Sequence, residues 1–222
     1  MRWRNVPRER VSVLCAKEIV EIPEDVDINT PQYWDVIYAN EAEKHNTRAD
    51  INRYNVILGH IKEKDAVLDF GCGPGDFLTW LRKKRPESIL IGVDSSKKAI
   101  ELAKKACPSA SWYVGEKIGG KELDIITIQH VLEHMHNPEL FIEQAYDALK
   151  DTGTLIIVMP MYDRVWHEHL KIWTLDFLRI FMRQQKKWKW IIIHRPETGY
   201  HHAADGEPSE EALVICQKVL PQ

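Results

Sequence analysis

A glycine-rich stretch directly after an apolar run constrains the fold of this chain more than any other feature. From Val67 to Leu78 the sequence reads VLDFGCGPGDFL, with glycine at positions 71, 73 and 75. Fixing glycine costs more conformational entropy than fixing any other residue, so glycines this close together need a compensating reason. A sharp strand-to-helix bend whose backbone a ligand can approach closely supplies that reason. The stretch therefore predicts a ligand-binding turn at the carboxyl end of a strand.

Apolar and amphipathic segments alternate along the chain from about residue 64 onward. The apolar runs predict strands at 66–70, 88–94, 111–115, within 123–131, and at 154–160, 188–194 and 211–219. The amphipathic runs predict helices at 76–84, 95–106, 138–149 and 173–182, with a turn at 151–153. This order is typical of a doubly wound α/β fold with a parallel sheet, and the last two strands are expected to pair as antiparallel neighbours.

The length of 222 residues suits one core with a small appendage. Residues 1–64 are expected to form a leading region, with a helix around TPQYWDVIYANEAEKH that covers the site, and residues 65–222 to form the core. The four cysteines form no CxxC pair, so we expect reduced thiols. No apolar run approaches the roughly 20 residues needed to cross a bilayer, and the start of the chain lacks the apolar stretch of a secretion signal. We expect a cytoplasmic protein.

An acidic residue ends the second predicted strand. Asp94 follows Gly73 by 21 residues, where a carboxylate is suited to accept hydrogen bonds from two vicinal ribose hydroxyls. The glycine spacing is GxGxG and not the GxGxxG of dinucleotide-binding folds. The two features together predict a nucleoside-containing ligand.

Three motifs between about Asp65 and Pro160 carry a family resemblance: VLDFGCGPGDFL, IGVDSSKKAIELAKKA and ITIQHVLEHMHNPELFIEQAYDALKDTGTLIIVMP. They resemble successive motifs of the class I S-adenosylmethionine-dependent methyltransferases. The resemblance implies a Rossmann-like sheet of seven strands, parallel except for an antiparallel last strand. It also implies S-adenosylmethionine as cofactor and a small-molecule methyl acceptor as partner.

The resemblance distributes the cofactor contacts along the chain. The turn from Gly71 to Gly75 is expected against the methionine and ribose portion, Asp94 at the ribose hydroxyls and Ser95 near the adenine. Glu116 matches the position that meets the adenine amino group in many members, although it also fits a surface carboxylate. The full set of predicted cofactor residues is Asp69, Gly71, Cys72, Gly73, Gly75, Asp94, Ser95, Glu116, Lys117 and Gln129.

Histidines after the fourth core strand are the candidates for acid–base chemistry. In the segment QHVLEHMHNPE, His130 is the first candidate for a general base, because an unperturbed imidazole accepts a proton around neutral pH. His134 is the second candidate, and it equally fits a residue that braces the loop. Methyl transfer itself gains much of its acceleration from alignment of nucleophile, carbon and sulfur.

A metal site is the alternative for the same segment. Glu133 and His134, joined by His167 or His169 from VWHEHLKIWTLDFL, resemble part of the metal site of small-RNA 2′-O-methyltransferases. Gln129 stands where that pattern has a glutamate, and an amide is a poorer ligand than a carboxylate. We therefore predict no metal.

The sequence favours O-methylation of a small or medium-sized hydroxylated molecule. Metal-assisted methylation of RNA ribose and a non-enzymatic, cofactor-binding role remain alternatives. Nucleic acid is not the expected partner, because the net charge is −3 and the basic stretch RQQKKWKW fits a solvated sheet edge. Tyr33, Trp34 and Tyr38 fit either an aromatic lid over the cofactor or the buried face of a helix.

Overall fold

The computed structural model of this protein describes residues 12–15, 18–21, 26–40, 48–161, 170–195 and 210–220. Among these residues, four elements precede the first strand of the core: the antiparallel strands β1 (Ser12–Cys15) and β2 (Glu18–Glu21), and the helices α1 (Pro31–Asn40) and α2 (Arg48–Leu58). The helix predicted in the leading region is present as α1. Strands β1 and β2 are too short for their alternation to be recognised in the sequence.

Strands and helices then alternate as predicted. They are β3 (Ala66–Phe70), α3 (Asp76–Lys84), β4 (Ile89–Asp94), α4 (Lys97–Ala106), β5 (Ser111–Val114), β6 (Leu123–Gln129), a 3-10 helix (Leu132–His134), α5 (Pro138–Ala148), β7 (Leu149–Met161), α6 (Leu175–Gln184), β8 (Trp188–Arg195) and β9 (Glu210–Lys218).

Within the described ranges, β3 to β9 form one seven-stranded sheet in the order β5-β4-β3-β6-β7-β9-β8. The pairs from β5 to β7 are parallel, and β9 is antiparallel to both β7 and β8. The predicted fold class, a doubly wound α/β sheet with an antiparallel last strand, is confirmed. Strands β4 and β5 lie on one side of β3, whereas β6 and β7 lie on the other. Such a reversal opens a crevice at the carboxyl ends of β3 and β6, where ligands bind in open α/β sheets.

Both faces of the sheet are covered by helices. Apolar side chains of α2, α3 and α4, among them Ile57, Leu81 and Ile100, pack on one face. Those of α5 and α6, among them Ile142 and Met182, pack on the other. Burial on both faces explains why the core strands read as continuous apolar runs in the sequence.

Two helices begin two residues later than predicted, at Lys97 and Leu175. Ser96 and Thr174 cap α4 and α6, since their side chains accept hydrogen bonds from the N–H groups of Ala99 and Phe177. The turn predicted at 151–153 instead lies within β7, which pairs with β6 through a register irregularity between Leu123 and Ile125. No helix among the described residues is long and apolar enough to span a membrane.

Candidate active site

The glycine-rich turn joins β3 to α3 in a conformation that favours glycine. Gly71, Gly73 and Gly75 have φ angles of +71°, +51° and +85°. A Cβ on Gly71 would lie 2.2 Å from Val131 Cγ2, and one on Gly75 would lie 2.6 Å from the Trp112 ring. Neighbouring side chains therefore fill the space that these glycines leave.

Asp94 connects this turn to the helix that follows β4. Its Oδ2 accepts a hydrogen bond from Gly73 N at 2.8 Å, and its Oδ1 accepts one from Ser96 N at 2.9 Å. Burial raises the pKa of this carboxyl, although the two N–H groups oppose the shift. A carboxylate offers about four lone-pair sites, so these bonds leave capacity for further donors. Asp94 thus lies where the sequence places the ribose-binding residue.

Asp69 and Gln129 lie side by side on the neighbouring strands β3 and β6. Asp69 Oδ1 accepts hydrogen bonds from Thr127 Oγ1 at 2.6 Å and from Gln129 Nε2 at 3.3 Å. Burial raises the pKa of Asp69 to about 7 despite these bonds. Both predicted cofactor residues are therefore near the base of the glycine-rich turn, in a buried polar cluster.

The other predicted cofactor residues border this arrangement. Ser95 follows Asp94 and is half-buried, and Cys72 is buried within the turn. Glu116 and Lys117 are exposed and follow β5, which pairs with β4. The structure brings the predicted set to one edge of the sheet, and its contacts with a cofactor stay a prediction.

Helix α1 of the leading region packs over this edge. Asp35 Oδ1 accepts hydrogen bonds from Ser96 Oγ at 2.6 Å and from Lys98 N at 2.9 Å, so α1 is fastened to the start of α4. A Cβ on Gly73 would lie 3.0 Å from the Tyr38 hydroxyl oxygen. No motif in the sequence indicates that Asp35 makes these contacts.

Of the two roles that the sequence left open for the aromatic residues of α1, the structure supports the buried helix face for Tyr33, and the lid over the cofactor stays a prediction. Tyr33 is fully buried and packs with Ile37. Trp34 and Tyr38 are half-buried; the Trp34 ring meets the His134 ring edge-on at 5.0 Å, and Tyr38 meets the glycine-rich turn. One face of α1 is therefore core, and another lies against the residues after β6 and β3.

His130 lies in a charged cluster directly after β6. Its Nε2 is 2.9 Å from Glu211 Oε1 and 3.3 Å from Arg53 Nη1, and its Nδ1 is 3.6 Å from Glu133 Oε1. Burial lowers the pKa of His130, but bonds to Glu133 and Glu211 outweigh it and raise the pKa to about 9. A protonated imidazole cannot accept a proton at neutral pH, so this environment argues against the base role predicted for His130.

Arg53 and Glu211 belong to this cluster, and no motif in the sequence indicates either residue. Arg53 Nη1 donates to Glu211 Oε1 at 2.8 Å, and Arg53 Nε donates to Gln129 Oε1 at 3.2 Å. Their side chains are 5% and 1% exposed. Glu211 stands directly before the apolar run ALVIC of β9, whereas Arg53 lies among the polar residues of α2 and carries no comparable signal.

His134 ends the 3-10 helix, with Nε2 3.9 Å from Glu133 Oε1. The backbone oxygen of Glu133 accepts hydrogen bonds from Leu170 N and Lys171 N, which ties the segment before α6 to this helix. The contact with Trp34 fits the bracing role for His134, whereas its catalytic role stays a prediction.

Metal and nucleic-acid alternatives gain no support from the described residues. His167 and His169, the remaining ligands of the alternative metal site, lie outside them, and no group of three or more His, Cys, Asp or Glu in the described ranges is arranged to hold a metal ion. In RQQKKWKW, Trp188 is buried and packs against Tyr146. Trp188 pairs with Lys218 at one end of the strands, and the glycine-rich turn lies at the other end.

Comparison with known proteins identifies relatives of this chain. A family model described as a methyltransferase domain matches residues 41–192. The chain is 27% identical over 121 residues to a trans-aconitate 2-methyltransferase of Azoarcus sp. (strain BH72), covering 52% of this chain and 48% of that protein. It is 30% identical over 98 residues to a ubiquinone biosynthesis O-methyltransferase of Pelagibacter ubique, covering 41% and 40%. The chain thus spans half or less of the length of these relatives.

A solved structure shares the fold. The TehB-like SAM-dependent methyltransferase of Corynebacterium glutamicum superposes with a TM-score of 0.56 at 21% identity, covering 75% of this chain and 86% of that chain. At this identity the similarity concerns the fold alone.

Proposed function

We propose that this chain, which belongs to the class I S-adenosylmethionine-dependent methyltransferases, has the activity of that family. We infer that it transfers the methyl group of S-adenosylmethionine to an oxygen atom of a small or medium-sized hydroxylated molecule. The cofactor supplies an electrophilic methyl carbon next to a sulfonium. The residues of the chain then have to bind the cofactor and the acceptor, orient them and shield them from water, because alignment of the reacting atoms supplies much of the acceleration.

The predicted cofactor residues fit this task. The turn from Gly71 to Gly75 presents backbone at the carboxyl end of β3, and Asp94 holds that turn through Gly73 N. Helix α1 closes over the same edge through Asp35 and Tyr38. A cofactor held there would be enclosed between the sheet edge and α1, which excludes water from the reacting centre.

The observation that carries the choice of oxygen is the position of His130 between two carboxylates: its Nε2 lies 2.9 Å from Glu211 Oε1 and its Nδ1 lies 3.6 Å from Glu133 Oε1. Two carboxylates, Glu133 and Glu211, raise its pKa to about 9. An imidazolium held there favours the ionised form of an acceptor hydroxyl bound nearby. The favoured acceptor is therefore a hydroxyl acidic enough to ionise without a strong base, such as a phenol or a quinol. The relation to a ubiquinone biosynthesis O-methyltransferase supports the same choice.

A methylation assay tests the proposal. The purified protein is incubated with S-adenosylmethionine and separate acceptor panels of phenols, quinols, sugars, amines and short RNA, and S-adenosylhomocysteine formation is measured. The methylated atom is then identified by NMR spectroscopy. Turnover on phenolic or quinol oxygens that falls in Asp94→Ala at limiting S-adenosylmethionine supports the proposal. Methylation of amines alone would contradict it, and turnover on RNA alone would favour the ribose-methylating alternative.

A further inference from the structure

Two basic side chains contact one buried carboxylate at the start of β9. Glu211 Oε1 accepts a hydrogen bond from Arg53 Nη1 at 2.8 Å and lies 2.9 Å from His130 Nε2. Burying a carboxylate costs folding free energy unless cations and hydrogen bonds compensate for it. Apolar side chains of similar volume usually serve stability as well as a buried ion pair does. Stability alone is therefore a weak reason for this arrangement.

The turn that carries His130 has an unfavourable backbone. His130 has a φ of +53°, in the left-handed region that residues other than glycine adopt only rarely. Such a conformation persists only where surrounding contacts hold it. Here the N–H of His130 donates to Val158 O at 3.0 Å, and its side chain is held at Glu211. Glu211 thus helps to keep the turn in this shape.

Both neighbours of His130 contact predicted cofactor residues. Val131 fills the space beside Gly71, because a Cβ there would lie 2.2 Å from its Cγ2. Gln129 donates to Asp69 through Nε2 and accepts from Arg53 Nε. A shift of the His130 turn would therefore be transmitted to the base of the glycine-rich turn.

We propose that Glu211 is a positioning residue for the cofactor cleft: together with Arg53 it fixes the His130 side chain, and through it the turn that packs against Gly71. Among the residues that the structure describes, the charged groups that face the imidazole are Arg53 from α2, Glu133 from the 3-10 helix and Glu211 from β9. Of these described groups, removal of the Glu211 carboxylate leaves Arg53 and Glu133 facing the imidazole, which lowers the pKa of His130. The inference rests on the proposed function in one respect: S-adenosylhomocysteine, the product of the proposed cofactor, serves as the binding probe.

The test compares Glu211→Gln with Glu210→Gln. Glu210 is the adjacent residue on β9, half of its side chain is exposed, and it pairs with His194 at 2.9 Å, so it offers the same chemistry at the surface. The titration midpoint of His130 is followed by NMR spectroscopy of 13C-labelled histidine, assigned by the signal that His130→Gln loses. Binding of S-adenosylhomocysteine is measured by calorimetry, and melting temperatures are recorded for every variant.

Glu211→Gln is expected to lower the His130 midpoint by at least one pH unit and to weaken S-adenosylhomocysteine binding at least tenfold, whereas Glu210→Gln changes neither. If Glu211→Gln does not fold, Glu211→Asp decides, because it keeps the charge but withdraws it by one carbon. Unchanged midpoint and affinity in a folded Glu211 variant would overturn the proposal. Weaker binding with an unchanged midpoint would leave Glu211 a structural role only, which also overturns it. The titration needs no ligand, so it gives a result even if the wild type fails to bind the probe.

Discussion

Substitution of Asp35 by alanine should weaken cofactor binding from a position outside the predicted cofactor residues. The carboxylate lies on α1 and accepts two hydrogen bonds from the start of α4, one from Ser96 Oγ at 2.6 Å and one from Lys98 N at 2.9 Å. Ser96 N in turn donates to Asp94, so the loss would reach the predicted ribose-binding residue.

The size of the effect follows from the two bonds. A hydrogen bond contributes about 1 kcal/mol net, and somewhat more where a charged group takes part. Loss of both should cost the docking of α1 about 2 kcal/mol, which corresponds to at most roughly 30-fold in affinity where binding requires docked α1. Asp35→Asn retains an acceptor oxygen and should lose less.

Calorimetric titration of the three proteins with S-adenosylhomocysteine provides the measurement. Asp27→Asn is the matched control, because Asp27 also lies in the leading region and its side chain is exposed. Affinity of Asp35→Ala within twofold of the wild type would refute the reasoning, since α1 would then contribute nothing to the bound state. Equal losses of affinity in Asp35→Ala and Asp27→Asn would refute it as well, because removal of a negative charge anywhere in the leading region would then explain the effect.

Three further predictions concern the sheet and its carboxylates. Gly92→Ala should lower the free energy of unfolding by about 1–3 kcal/mol, because the new Cβ would lie 2.3 Å from the Trp112 ring. Gly119→Ala is the control, since a Cβ at that position meets no atom within 4 Å. Urea unfolding measures the stability of both variants. Asp69 has a folded pKa of about 7, raised by burial, so its contribution to stability is present at low pH and lost as the pH rises through 7. In Asp69→Asn, unfolding between pH 5 and pH 8 should show a smaller loss of stability, and an unchanged pH profile would exclude Asp69 as its source. Asp94→Ala should weaken S-adenosylhomocysteine binding at least tenfold, or about 1.4 kcal/mol, and unchanged affinity in calorimetry would remove Asp94 from the site.

The parallel core was predictable because its signals are local. The strand at Ala66–Phe70 and the helix at Asp76–Lys84 match their predicted ranges, since a short apolar run and an amphipathic run separated by glycines admit few other structures. The caps at Ser96 and Thr174 likewise depend on a hydroxyl and an N–H three residues apart. The register irregularity at the start of β7 depends on the neighbouring strand β6 and has no such signal.

The candidate site was predictable only in part, because its charged contacts join distant segments. Arg53 and Glu211 are 158 positions apart, and Asp35 and Ser96 are 61 apart. Residue type and position suggested a neutral base at His130, whereas a carboxylate 81 positions away helps to raise its pKa. A single sequence carries no information on which distant carboxylate approaches an imidazole.

The central claim is that the edge of the sheet at Gly71–Gly75 and Asp94 binds the nucleoside of S-adenosylmethionine. Calorimetric titration of the chelator-treated protein with S-adenosylhomocysteine tests this claim most directly, with adenosine and methionine as separate titrants and Asp94→Ala in parallel. We expect micromolar binding of S-adenosylhomocysteine to the wild type at one site per chain, weakened at least tenfold in the variant. No binding of S-adenosylhomocysteine or adenosine to the folded wild type would contradict it.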